Sequence, residues 1–247
     1  RKHRVEPEGL AGVLESLRKR LELAGSQEKR LAAIDSELES ALQRYRKAAL
    51  DLHRCRCARA RELSQGVSQL MQQLGMEGGR FEISVDCHSE QPPSARGDDR
   101  ITMQVSANRG TEPGPLRKVA SGGELSRISL AVKIVAREGD RSATQVFDEV
   151  DAGIGGATAS AVGTLLKRLS DGGQALCVTH LAQVAVYADR QLQVAKDASG
   201  APSAVSVAEL AEGQRVDEVA RMLGGQLSDQ SRAHARELIE EATAARH

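Results

Sequence analysis

Leu10, Leu14, Leu17 and Leu21 follow one another at steps of four, three and four, the spacing that lays one apolar seam along a helix. Gly25 and Ser26 interrupt the seam, and Ser26 is placed to cap a second helix. The seam resumes at Leu31, Ile34, Leu38, Leu42 and Tyr45, thins through an arginine-rich stretch, and returns at Leu63, Val67, Leu70 and Leu74. Residues 7 to about 74 therefore read as helix. A helix this long outruns a compact domain, so it is expected to protrude and pair with another helix as a coiled coil. A helical bundle packed in place is the alternative.

Beyond Gly75 to Gly79, which end the helix, the period changes to two. Phe81, Ile83, Val85 and Cys87 alternate with polar residues, and so do Ile101, Met103, Val105 and Ala107, predicting two half-buried strands joined by a polar loop over 88–100. Residues 108–115 read as a turn-rich connection. Then strand and helix alternate. Helices are expected around Leu125 to Val135, Val162 to Leu169, Leu181 to Ala188, Val216 to Leu223 and Arg232 to Ala245. Strands are expected at Thr144 to Phe147, Ala175 to Thr179, Leu192 to Ala195 and Ala204 to Ala208. That alternation predicts an α/β fold, with a parallel sheet covered by helices. The division is a helical segment over 1–74 and an α/β lobe over 75–247.

Composition narrows the picture only in places. Aromatics are 2% of the chain, so its core must be built from Leu, Val, Ile and Ala. Lys and Arg number 34 and so do Asp and Glu, which removes any global electrostatic argument for nucleic acid or membrane. Locally, Arg44, Arg46, Lys47, Arg54, Arg56, Arg59 and Arg61 have only Asp51 as a nearby acid. Such a run is a solvated face, a partner for acids elsewhere, or a contact for a DNA backbone. Cys55, Cys57, Cys87 and Cys177 form no C-x-x-C pair, and neither a secretion signal nor a membrane span is evident. A reduced, cytoplasmic protein is the expectation. The chain opens on Arg1 with heptads under way, and reads as a piece of a longer one. His53 and Asp189 stand in no context that suggests chemistry.

Four short stretches carry candidate chemistry. Ser121-Gly122-Gly123-Glu124 is a capping box before an apolar run, and its glycines bare the backbone N–H groups of a helix N-terminus, an anion site. Asp148 and Glu149 follow an apolar strand, where open α/β sheets bind ligands. There Asp148 can hold Mg²⁺ and Glu149 can orient or deprotonate a water. Asp151 begins a bare loop with Gly153, Gly155 and Gly156, and His180 ends an apolar strand. Each has a plainer reading, as a cap, as solvated acids, as a flexible turn or as a polar strand end. No glycine in the chain precedes a lysine, so a P-loop is absent from this sequence.

In this order the stretches resemble the C-terminal half of an ATP-binding-cassette ATPase head. SGGELS resembles the signature motif, VFDE the Walker B strand, VDAGIG the D-loop, and His180 the switch histidine. KVASGGELSR, FDEVDAGIGG, CVTHLAQVA, MQQLGM and RMLGG narrow the likeness, over about residues 30–245, to a bacterial DNA-repair protein similar to the structural-maintenance-of-chromosomes (SMC) family. The resemblance implies ATP and Mg²⁺ as ligands and a phosphate-gripping loop in an N-terminal half of the same protein. Asp148 would bind the metal, while Glu149 and His180 would act catalytically on ATP held by the same head. Ser121, Gly122, Gly123, Glu124 and Asp151 would contact nucleotide, with Ser121 and Gly123 reaching the ATP of a second head. DNA at double-strand breaks, the N-terminal half and a second copy are the implied partners, with no membrane, at the bacterial nucleoid. The rivals are the head of another chromosome-organising or nuclease-associated ATPase, and a non-enzymatic coiled-coil module with a degenerate head. An incomplete sheet would leave apolar edges exposed, which implies poor solubility or self-association.

Overall fold

The computed structural model describes residues 9–106, 109–116, 121–136, 144–196, 205–224 and 226–244. It divides into two compact units, Arg1–Arg56 with Val85–Arg100 and Cys57–Ser84 with Ile101–His247. Helix α1, Leu10–Gln73, runs through both. It continues unbroken through Gly25 and Ser26, correcting the expected cap between two helices. Ser26 donates its hydroxyl to the Leu23 carbonyl at 2.8 Å, a bond made inside a helix rather than at its start. One glycine in an exposed helix costs only about 1 kcal/mol, too little to break one this long.

In the first unit the apolar seam of α1 faces solvent, with Leu10, Leu14, Leu17, Leu21, Leu31, Ile34, Leu38 and Leu42 all exposed. The lower part of this segment is held by the loop between β1 (Arg80–Cys87) and β2 (Asp99–Ser106). Tyr45 and Arg46 donate to the two oxygens of Asp98 at 2.6 and 2.7 Å. His53 and Arg56 engage those of Asp99 at 2.7 and 3.0 Å. The side chains of Asp98 and Asp99 are only 6% and 1% exposed, so their ionised forms need these donors. The hydrogen bond from Tyr45, then Arg46, holds the Asp98 carboxyl below its usual value against the cost of burial. Burial pushes Asp99 upward, but Arg56 and His53 outweigh it. Much of the arginine run is thus spent within the protein, since Arg54 also lies 3.7 Å from Asp51 and Arg59 2.7 Å from Glu62.

The second unit holds the main core. The last turns of α1 contribute Val67 and Met71, the turn that follows contributes Leu74, and the β-sheet contributes Phe81 and Val105. Ser64 and Ser68 accept from the backbone N–H groups of Ile83 and Phe81, tying helix to strand. The expected turn at 108–115 contains a two-residue strand, β3 (Gly114–Pro115), antiparallel to β2 and completing a sheet of order β1-β2-β3. Onto this core pack α2 (Gly122–Val135) through Ile128, Leu130, Ala131 and Ile134, and α3 (Gly156–Ser170) through Val162, Leu165, Leu166 and Leu169. Two parallel strands, β4 (Thr144–Phe147) and β5 (Gln174–Cys177), flank α3 in sequence and pair in register from Thr144↔Gln174 to Phe147↔Cys177. The predicted β5 ran to Thr179, but pairing ends at Cys177.

A second cluster joins the short α4 (Ala182–Ala185) to α5 (Glu212–Gly224) and α6 (Asp229–Ala244) through Ala182, Val186, Val219, Ala220, Ala235 and Ala242. Between α4 and α5 lies an antiparallel ribbon, β6 (Leu192–Lys196) with β7 (Val205–Glu209), separate from the parallel pair. So the α/β expectation holds, but its parallel sheet is two strands wide among the described residues. Val146, Leu176 and Val178 on that pair, and Val194 and Val207 on the ribbon, remain exposed.

Gly163 on α3 faces Tyr187, and a Cβ there would sit 2.3 Å from the ring. Gly163→Ala is expected to lower stability by about 1–3 kcal/mol, the usual cost of overpacking. Urea unfolding checks this, and an unchanged midpoint would show that the contact is slack.

Candidate functional site

The site forms because β4 and β5 are parallel and in register, so their carboxyl ends open side by side. Val178 N–H donates to the Phe147 carbonyl at 3.0 Å, one hydrogen bond beyond the end of β5. Asp148 and Glu149 then leave β4, while Thr179 and His180 leave β5 beside them. A cleft of about 630 Å³ is lined by Ser121, Gly122, Gly123, Asp148, Glu149, Asp151 and His180, together with Ala152, Gly153, Val178 and Thr179.

The N-terminus of α2 forms one wall. Ser121 caps it, accepting the Glu124 N–H at 3.3 Å while the Glu124 carboxylate accepts the Ser121 N–H at 2.7 Å. The capping box is therefore formed as the spacing predicts. It turns Glu124 back onto the cap, and Glu124 is not among the cleft-lining residues. Helix geometry leaves the first amides without intrahelical partners, so those of Gly122 and Gly123 are presented to the cleft. Lys118, Val119 and Ala120, which precede the cap, lie outside the described residues.

The glycines have a second reason, which motif reading alone did not supply. A Cβ on Gly123 would lie 2.9 Å from the Ala152 side chain and 3.0 Å from its carbonyl oxygen. A Cβ on Gly122 would lie 2.7 Å from a Glu149 carboxylate oxygen. The helix start and the β4 turn thus touch backbone to backbone. Two residues of α2 fix this approach. Ser126 donates its hydroxyl to the Asp148 carbonyl at 2.8 Å. Arg127, nearly buried, donates from one guanidinium nitrogen to the Ala152 carbonyl at 2.9 Å and reaches that of Val150 at 3.4 Å. Burial lowers the Arg127 pKa, with Glu124 opposing. Neither residue was singled out from the sequence. Arg127 carried a signal, because it falls on the same stripe as Leu130, Ala131 and Ile134, where a cation has no place unless it is hydrogen-bonded.

The carboxylates differ in setting. Asp148 is exposed, and one of its oxygens accepts the Glu149 N–H at 2.9 Å. Glu149 adopts φ 57°, a left-handed conformation unusual for a side chain this long. Asp151 is buried and ties the two strand ends together. It accepts the Thr179 hydroxyl at 2.6 Å and the His180 N–H at 3.0 Å, and lies 3.1 Å from His180 Nδ1. The His180 ring itself is 71% exposed and stands over the cleft. Thr179 was assigned no role from the sequence because it read as the last residue of a strand. Among the described residues no lysine or arginine lines the cleft. Its oxygen donors suit Mg²⁺, but three acids without a cation do not suit a polyphosphate held by this surface alone.

Cys177 sits at the end of β5, behind the cleft. Burial first, then the charges of Asp151 and Asp148, push its thiol up to about 12 from 9.0. The native thiol keeps its proton to higher pH than the unfolded one. Its contribution to stability is therefore full below pH 9.0 and is lost as pH rises toward 12. Alkylation at pH 8 is expected to modify exposed Cys55 and spare Cys177 until the chain is unfolded, as peptide mass mapping would show. Equal modification rates at the two positions would contradict the buried, proton-holding setting.

No family model matches the chain. It is 40% identical over 240 residues to the DNA repair protein RecN of Vibrio cholerae, a match covering 97% of this chain and 43% of that protein. It is 42% identical over 232 residues to RecN of Deinococcus radiodurans, covering 94% and 38%. The chain thus spans less than half the length of the curated relatives it matches. Among solved structures, it is similar to the Smc head domain with a coiled coil and joint from Pyrococcus yayanosii, at TM-score 0.57 and 18% identity over 97% of this chain and 40% of that one. It is also similar to the Smc head domain with an extended coiled coil from Pyrococcus furiosus, at TM-score 0.53 and 20% identity over 78% and 45%. Identities this low speak for fold alone. By sequence the chain is similar over nearly its whole length to the C-terminal half of the DNA repair protein RecN, and by fold it is akin to an SMC head domain.

Proposed function

We propose that this chain carries one part of a composite ATP-hydrolysing site in a RecN-like DNA-repair protein, the phosphate grip lying in an N-terminal half of the same protein. One observation carries the reading: the cleft gathers Asp148, Glu149, Asp151 and His180 at paired strand ends against a bare helix N-terminus, with no lysine or arginine lining it among the described residues. Mg²⁺-ATP would bring the phosphoryl group and the charge that offsets the carboxylates. Of the residues here, Asp148 would hold the cation, directly or through water. Glu149 would orient a water and take its proton at a carboxylate oxygen. His180 would approach the terminal phosphate, its main chain and ring steered by buried Asp151. Ser121 and the Gly122 and Gly123 amides would meet the phosphate of nucleotide on a second copy's head, with two ATP molecules enclosed between heads. Glu124 would serve the same contact through the cap it closes. Head engagement would couple to DNA at double-strand breaks, inside a bacterial cytoplasm. Among the described residues no helix is long and apolar enough to cross a membrane.

The exposed apolar strands fit the same reading. Val146, Leu176 and Val178 would be covered by strands from the N-terminal half. The open seam of α1 would pair with a helix from that half as a coiled coil.

ATP hydrolysis by the chain mixed with the N-terminal half is expected to far exceed that of either alone. Glu149→Gln should lower the turnover of the mixture by about 10²–10⁴-fold, the usual worth of a general base, while nucleotide binding persists. Hydrolysis by this chain alone, or a mixture indifferent to Glu149→Gln, would overturn the proposal.

A further inference from the structure

His53 was unremarkable in the sequence, and Cys87 was one of four unpaired cysteines. The fold brings them together with Asp99 in the first unit. One ligand atom from each of the three lies within 4.8 Å of the other two. His53 is on α1, Cys87 closes β1 and Asp99 opens β2, so the trio joins the helix to both ends of the loop over 88–98. His53 Nδ1 is 2.7 Å from Asp99 Oδ1, and Arg56 occupies the other oxygen, Oδ2, at 3.0 Å. Burial and these contacts fix the Asp99 carboxylate, which is 1% exposed, while the His53 ring is 26% exposed and Cys87 is open to solvent. A cation can therefore reach the site from the Cys87 side.

We propose that His53, Cys87 and Asp99 form a binding site for a thiophilic divalent cation of the Zn²⁺ type. An imidazole, a thiolate and one carboxylate oxygen make a three-ligand zinc set with room for water in the fourth position. Zinc bonds of about 2.0–2.3 Å place tetrahedral ligand atoms roughly 3.3–3.7 Å apart. The trio reaches that spacing by small shifts, the largest available to the exposed Cys87 side chain. Arg56 does not exclude the ion, because it holds Oδ2 and its charge is offset by the Cys87 thiolate that the metal stabilises. Mg²⁺ is the wrong occupant, since it prefers an all-oxygen octahedron. The bound ion would clip α1 to the hairpin ends, closing the 88–98 loop.

The direct test is titration of metal-free, reduced protein with Co²⁺, a spectroscopic stand-in for zinc. One equivalent is expected to bring a thiolate-to-cobalt charge-transfer band and tetrahedral ligand-field bands, both abolished by Zn²⁺. The thiolate band should vanish in Cys87→Ser and survive in Cys55→Ser and Cys57→Ser. His53→Gln should weaken cobalt affinity at least tenfold. X-ray absorption of the unaltered zinc-loaded protein supplies a readout that needs no variant, with one sulfur and the rest nitrogen or oxygen expected. The absence of a thiolate band at one equivalent, its survival in Cys87→Ser, or a zinc shell without sulfur would overturn the assignment.

Discussion

The contact on which the cleft depends is that of the α2 N-terminus against the turn after β4. Gly123 has no side chain because the Ala152 carbonyl stands where one would go. Ser126 and Arg127 then hold the carbonyls of Asp148, Val150 and Ala152. With that approach fixed, the helix amides, Glu149 and Asp151 face one space. Loosening it would separate the glycines from the acids while leaving every element intact. The capping box, which by itself is an ordinary way to start a helix, takes its functional meaning from this neighbour.

Asp151 is the second organising residue. A buried carboxylate needs donors, and it finds them in the Thr179 hydroxyl and His180 N–H, both from the other strand end. The two parallel strands are thus linked beyond the point where their ladder stops. The His180 ring is left outside, exposed and steered by the same acid. Beside this polar link Val146, Leu176 and Val178 stay exposed among the described residues, the face that the proposed N-terminal half would cover.

Much of this was legible in the sequence, for identifiable reasons. Period-two runs found β1 and β2 and period-3.6 runs found the helices, although the first half of the α1 seam, with Ile101 and Met103 of β2, stays exposed. SGGE announced its cap, and the order of DE, the glycine loop and TH announced one site. What failed did so where tertiary context outweighs local preference. Gly25 and Ser26 looked like a break, but a helix of 64 residues carries Gly25 through, as it does Gly12 and Gly66. The arginine run looked like a free basic face because its acids, Asp98 and Asp99, are some forty to fifty positions away in sequence. The trio of His53, Cys87 and Asp99 was invisible for the same reason, since no local spacing encodes a contact between a helix and two strand ends. Arg127 could have been found, as a cation on an apolar stripe.

The central claim is that this chain supplies acids and a bare helix start while another segment supplies the cation that grips phosphate. Calorimetric titration of Mg²⁺-ATP into the chain alone, and into an equimolar complex with the N-terminal half, tests it most directly. The account predicts no measurable heat of binding for the chain alone and saturable binding for the complex. Binding of comparable affinity by the chain alone would contradict it, because this chain would then be gripping phosphate without the other segment.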